Sequence, residues 1–320
     1  MRSRKNRTAL LLAAMSILLV VDPPAFAGPT LPSVSGSVAT FTGDQSHGIA
    51  SGVDVPTPPY TTFAIHDLTT DILPAAGRPG VKLFSQSAKG ADGEDGEVGG
   101  HVGYDGARGE YGNDSTVFFR GGDNAIRTPG MFAYGIGVFS LAGDGGDGGD
   151  DTGIFYAYGG DGGRGGSGGL AKVCSDAAWP SGAGSVILYD PSTIETTGWF
   201  SPGIYALSRG GDGGAGGDAG ATYGEGGNGG RGGHGGPVSI LNNSRIITTG
   251  LGSDGISANS LGANGGSAGH GDGIVGAGGS AVGGGSGGTV NVTDFGYIHT
   301  TGDYSRGIFA QSVGGFAGSS

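Results

Sequence analysis

VSILNNSRIITTGLGSDGISANS (Val238–Ser260) and VNVTDFGYIHTTGDYSRGIFAQS (Val290–Ser312) lie 52 residues apart and share one skeleton. Eight residues after the opening valine stands an isoleucine, Ile246 or Ile298. A threonine follows two residues on (Thr248, Thr300), and a glycine two beyond that (Gly250, Gly302). Five more residues bring Gly255-Ile256 or Gly307-Ile308, and the unit closes on Ser260 or Ser312. Two earlier segments keep every offset. FFRGGDNAIRTPGMFAYGIGVFS, from Phe118, carries Ile126, Thr128, Gly130, Gly135-Ile136 and Ser140. VILYDPSTIETTGWFSPGIYALS, from Val186, carries Ile194, Thr196, Gly198, Gly203-Ile204 and Ser208. A decayed copy opens at Phe63 and ends GVKLFS (Gly80–Ser85); a fragment, TGDQSHGIA (Thr42–Ala50), matches the later TGDYSRGIF.

Within a unit the side chains alternate: Ile256, Ala258 and Ser260 share one face, Ser257 and Asn259 the other. Period two with β-branched residues means strand. Each unit holds three short strands, around Val238–Ile240, Ile246–Thr248 and Ile256–Ser260, with the fixed glycines at corners that need positive φ or close backbone approach. Repetition at this scale marks a solenoid. The predicted fold is all-β, a right-handed parallel β-helix whose coils stack about 4.8 Å apart with like residues in ladders. A β-sandwich is the competing architecture, and it requires no near-identical units.

Glycine-rich tracts separate the units, at about 86–114, 143–169, 209–237 and 262–288, and account for much of the chain's 78 glycines. GGDGGRGGSGG (Gly159–Gly169) shows the device: two glycines, then a third residue that changes, here Asp161, Arg164 and Ser167. Each tract has two glycine arms around a short apex, IFYAY (Ile154–Tyr158) or ATY (Ala221–Tyr223), with Ile274-Val275 near the middle of the last. A tract must return to the corner it left, because the next coil begins one layer up. In an extended three-residue helix rising about 3.1 Å per residue, a doubled-back arm reaches roughly 40 Å. Its variable residues share one ridge, and its bare glycine ridges let neighbouring arms hydrogen-bond backbone to backbone, polyglycine-II fashion. Flexible linkers would need no such phase. The earliest tract, GADGEDGEV then GHVGYDGARGEYGND, keeps glycine at every third residue with one slip at Gly99-Gly100; it is too short and proline-free for collagen.

The chain begins as an exported protein does. Arg2, Arg4, Lys5 and Arg7 precede an apolar run, Ala9–Val21, and Ala25-Phe26-Ala27 offers a cleavage site before Gly28. Residues 1–27 are therefore expected to be a signal peptide rather than a membrane anchor. Their removal takes the net charge from −12 to −15, since four basic residues and Asp22 leave. Such a charge repels nucleic acid. The one cysteine, Cys174, allows no internal disulfide and reads as a small buried hydrophobe.

No motif for chemistry stands out, and no catalytic, cofactor-binding or metal residues are assigned. Asp144, Asp147, Asp150 and Asp151 suggest calcium, but neighbours on one arm ridge sit about 9 Å apart, too far to share an ion. His47, His66, His101, His234, His270 and His299 are scattered. A β-helical polysaccharide-cleaving enzyme needs converging carboxylates. The column between the repeated Ile and Thr instead reads Arg127, Glu195, Ile247, His299.

HTTGDYSRGIFAQSVGG (His299–Gly315), ITTGLGSDGISANSLG (Ile247–Gly262) and TGDQSHGIA (Thr42–Ala50) together resemble the passenger region of Gram-negative bacterial autotransporters, the type V secretion adhesins. The resemblance covers most of residues 34–320. It implies a β-helix carried through the outer membrane by a translocator barrel, which this chain lacks, so that a fragment is expected. It also implies cell-surface or extracellular placement, or the periplasm if the chain is complete. The expected organisation is a signal peptide (1–27), an N-terminal cap region (28–60), β-helix repeats with inserted tracts (61–313) and the start of a further tract (314–320). The expected role is non-catalytic adhesion, with no cofactor, no nucleic acid and a glycan or host or bacterial protein as ligand. A polysaccharide-cleaving enzyme and a structural or ice-facing glycine-helix protein are the alternatives.

Overall fold

The computed structural model describes residues 30–51, 60–96, 102–176 and 191–320. The expected signal peptide, the Gly99-Gly100 slip, His101 and Val186 lie outside them. Three long sheets of seven, four and six strands run through the molecule. Every pairing within them is parallel except one, where Ser33–Ser35 folds back on Val38–Gly43 and covers the first sheet edge. One strand from each sheet makes a coil. Coil 2 is Ser115–Phe119, Ile126–Thr128 and Ile136–Leu141. Coil 3 is Ala171–Ser175, Thr193–Thr196 and Ile204–Arg209. Coil 4 is Val238–Asn242, Arg245–Thr248 and Ile256–Leu261, and coil 5 is Val290–Asp294, Tyr297–Thr300 and Ile308–Val313. Coil 1, the decayed copy, keeps Thr62–Leu68, a single bridge at Ile72 and Val81–Gln86.

Like residues do pile over like. Ile126, Ile194, Ile246 and Ile298 form one column. Ile136, Ile204, Ile256 and Ile308 form a second. Val117, Val173, Ile240 and Val292 form a third. Apart from Ile308, which is exposed in the last coil, the three columns converge in one continuous apolar core. This is the parallel β-solenoid that the repeat predicts.

The first strand, however, starts elsewhere than the repeat suggested. The partner of Val238 is Ala171, not Val186, and the partner of Ala171 is Ser115, not Phe118. The link from first to second strand varies in length, so constant offsets downstream hid the shift. In coil 3 the described ends of the link are held together by Asp176. Its buried carboxylate accepts from Ser192 N–H (2.7 Å), Ser244 Oγ (2.7 Å) and Gly121 N–H (3.2 Å).

The fixed glycines follow from close approach. A Cβ on Gly135, Gly203 or Gly255 would lie 2.3 Å from a methyl of Ile194, Ile246 or Ile298, the isoleucine one layer on. A Cβ on Gly198 would lie 1.5 Å from the Gly130 carbonyl oxygen. The repeated threonine ties its own corner: Thr128 and Thr248 donate to the carbonyls of Ala133 and Ser253, each at 2.6 Å. The closing serine joins coil to arm. Ser208 Oγ donates to Gly169 C=O (2.7 Å) and accepts from Gly236 N–H (2.9 Å).

The glycine tracts are ordered arms, one leaving after each coil. Outgoing legs (88–96, 143–150, 210–218, 262–270) stack on one another, and so do return legs (102–112, 159–169, 226–236, 278–288), giving a two-leaved blade. Each Gly-Gly-X triplet places its three amides differently. Gly145 N–H donates along its leaf to Asp212 C=O (2.8 Å), and Gly146 N–H donates across to Ala107 C=O (2.8 Å). Asp147 N–H donates to the side chain of Asp92, the residue in its own column one arm earlier (2.9 Å). The X position is thus not free, as the tract alone suggested. Asp or Asn there accepts the amide of the next arm, as Asp144, Asp161, Asp212, Asp218, Asn228 and Asn264 all do. Arm 1 escapes the two-glycine rule for a related reason. A Cβ on Gly146 or Gly163 of arm 2 would fall 1.9 or 2.0 Å from the carbonyl oxygen of Ala91 or Ala107 in arm 1. Among the described residues arm 1 is the first of the stack, and alanine stands at these positions.

Candidate interaction surface

The blade ends in a tip built by the apexes. Two small parallel sheets hold it: Tyr156–Tyr158, Tyr223–Glu225 and Val275–Ala277 in one, Asp151–Thr152, Ala219–Gly220 and Gly271–Asp272 in the other. Between arms 2 and 3 the turns are pinned, Thr222 Oγ1 donating to Ile154 C=O (2.9 Å) and Tyr223 N–H to Phe155 C=O (2.9 Å). Asp151 accepts from Tyr158 N–H (2.9 Å) and closes the apex of arm 2. On this frame large side chains point to solvent. Ile154, Phe155 and Ile274 are 69, 68 and 87% exposed. Tyr156 and Tyr223 are in register and stack, centroids 5.5 Å apart. With Tyr158, Glu225, Val275 and Ala277 they line a shallow groove of about 230 Å³. An apolar, aromatic patch on rigid elements, rimmed by phenols and a carboxylate, suits a macromolecular contact. The sequence picked out these apexes, and the structure brings them together.

A second aromatic feature escaped the sequence reading. At one corner of the solenoid Phe132, Phe200, Gly252 and Tyr304 occupy equivalent places, all with positive φ (58°, 52°, 63°, 59°). Bulky residues there are strained. Phe132 and Phe200 stack at 5.7 Å, and they stand exposed beside Met131 and Trp199. The signal lay in the repeat: each is the second residue after the fixed glycine.

The expected outer column Arg127, Glu195, Ile247, His299 is in register. Arg127 ion-pairs with both Asp71 and Glu195, beside a cleft of about 290 Å³ that also involves Leu73, Pro74, Pro129 and Thr197. Among the described residues no three His, Cys, Asp or Glu side chains gather as a metal ion would require. Cys174 is fully buried with Leu241 and Phe118, and burial pushes its thiol up to about 12. No helix among the described residues is long and apolar enough to cross a membrane.

No family model, curated protein or solved structure matches this chain. What the fold itself defines is a β-solenoid that carries a polyglycine blade.

Proposed function

We propose that this is an exported, adhesin-like surface protein that makes its contacts through the blade tip and has no catalytic role. One observation carries the reading. The molecule orders four arms by backbone hydrogen bonds and then presents Ile154, Phe155, Tyr156, Tyr223, Ile274 and Val275 at their far end, exposed. Exposed apolar side chains held on stiff elements are what binding surfaces have in common. The ligand class is a glycan or a protein of a host or bacterial surface. The autotransporter resemblance supplies the route: the coil motifs that carry it are the coils of the solenoid, and a translocator barrel would display them outside the cell. The polysaccharide-cleaving alternative needs two carboxylates free to work on one bond; Asp71 and Glu195 instead share Arg127.

The test is binding of the purified protein to arrays of glycans and surface proteins, and to whole cells. Phe155→Ser combined with Tyr156→Ser and Tyr223→Ser is expected to lower binding at least tenfold while thermal unfolding stays within a few degrees. Unchanged binding by that variant, or release of reducing ends from any polysaccharide tested, would overturn the reading.

A further inference from the structure

The two leaves of the blade differ in charge. The outgoing leaf carries aspartates: Asp92 and Asp147 in one column, Asp144 and Asp212 in another, Asp95, Asp150 and Asp218 in a third. The return leaf carries a column of arginines. Arg108, Arg164 and Arg231 stand one above another in arms 1, 2 and 3, set by Gly109 N–H donating to Arg164 C=O (2.9 Å) and Gly165 N–H to Arg231 C=O (3.0 Å). All three are exposed. Arg108 lies over the Tyr111 ring (4.3 Å to its centroid), and among the described residues no carboxylate pairs with Arg164 or Arg231.

Stability does not account for this column. Elsewhere the X residue is repeatedly an acceptor that captures the amide one arm on: Asp105 for Asp161, Asp161 for Asn228, Asn228 for Ser280, His234 for Ser286. Arginine has no acceptor, so the column gives up that bond at Arg164 and Arg231. It also places like charges about 4.8 Å apart, layer over layer. A local rule broken three times with the same residue marks a functional position.

We propose that the arginine column is a binding site for a linear polyanionic glycan, sulfated or uronate-bearing, whose charged groups track the layers along the blade. The guanidinium forks match sulfate and carboxylate oxygens in bidentate fashion. Only glycines separate the arginine column from the columns beside it, such as Gly162, Gly163, Gly165 and Gly166 in arm 2, most of them buried against neighbouring legs, so no side chain stands between the columns. One flank loses its negative charge toward arm 3, where Asp105 and Asp161 give way to Asn228, and the other gains His234. The columns of Asp92 and Asp147, of Asp144 and Asp212, and of Asp95, Asp150 and Asp218 belong to the other leaf. This site is separate from the tip and stands or falls without it.

The purified protein is titrated with heparin, polygalacturonate, neutral dextran and duplex DNA at several salt concentrations. Expected are binding to heparin or polygalacturonate, the better of the two naming the anionic group, no binding to dextran and much weaker binding to DNA. Arg164→Asn with Arg231→Asn is expected to weaken glycan binding at least tenfold and to flatten its salt dependence. Because asparagine restores an acceptor, the melting temperature of that variant should hold or rise, so lost binding cannot be lost folding. The tip variant keeps full polyanion binding. The site is overturned by binding to neither anionic glycan, by equal binding to DNA, or by a double variant that binds as tightly as the parent.

Discussion

Aspartate is the residue that explains the arms. An isolated three-residue helix of glycine leaves one amide in three without a partner inside the blade. A carboxylate or amide side chain on the X ridge reaches the vacant amide of the following arm, about the distance of one layer. Asp161 does this for Asn228 at 2.8 Å. Asp161→Ala should therefore cost about 1 kcal/mol, read by urea unfolding, and should speed amide exchange at Asn228, whereas Asp161→Asn should leave both nearly unchanged. Equal losses for Ala and Asn would mean that charge, not the acceptor, matters. Cys174 gives a residue-scale prediction of a different kind. Burial lifts its thiol from 9.0 to about 12. Between these values the unfolded chain has released a proton that the folded chain still holds, so stability falls as pH rises through that window. Burial also raises Tyr134 and Tyr205, which adds to the fall above pH 10. Unfolding midpoints measured from pH 8 to 11.5 should decline from about pH 9 upward, and Cys174→Ala should lessen the early part of the decline.

At the scale of the element, the coil was legible wherever spacing is set by contact. The isoleucine column, the glycine that yields to the next isoleucine, the threonine that ties the corner and the serine at the arm base all recur at constant offsets because each touches its own copy one layer away. The first strand was misplaced because its link to the second varies, and a short β-branched apolar run such as Val186–Leu188 looks like a strand opener wherever it falls. The aromatic corner was missed because Phe132, Phe200 and Tyr304 are interrupted by Gly252, and positive φ in an aromatic residue leaves no trace in composition. Arms respond to substitution by layer. Gly163→Ala places a Cβ 2.0 Å from Ala107 C=O and forces two legs apart; overpacking of this kind costs roughly 1–3 kcal/mol or more. Ala107→Ser, at the equivalent place in arm 1, should be nearly silent. A comparison of the two melting temperatures decides whether the two-glycine rule comes from the neighbour beneath, as argued, or from backbone flexibility, which would make them alike.

For the whole molecule, the blade and the solenoid share one layer spacing, and each arm is anchored at its base by a serine that belongs to the coil. The tip was readable as a set of apolar apexes; that Tyr156 and Tyr223 would meet was not, since their separation in the chain reflects the length of everything between. That Arg108, Arg164 and Arg231 would form one column, on the leaf opposite most of the aspartates, was likewise invisible along the chain, because the legs are separated only when each tract doubles back.

The hydrogen bonds of the arms also have a direction in time. When the outgoing leg of arm 2 arrives, Gly143, Gly146 and Gly149 find the carbonyls of Glu110, Ala107 and Tyr104 already laid down, Asp147 finds Asp92, and Gly90 and Gly93 wait to donate to Asp144 and Asp147. The amides of Gly145 and Gly148 are left to meet the carbonyls of Asp212 and Ala215 when the next arm follows. Growth by such steps resembles a crystal adding one row at a ledge, and a chain that emerges from its amino end through a narrow exit could solidify row by row behind the pore, the freezing of each row drawing out the next.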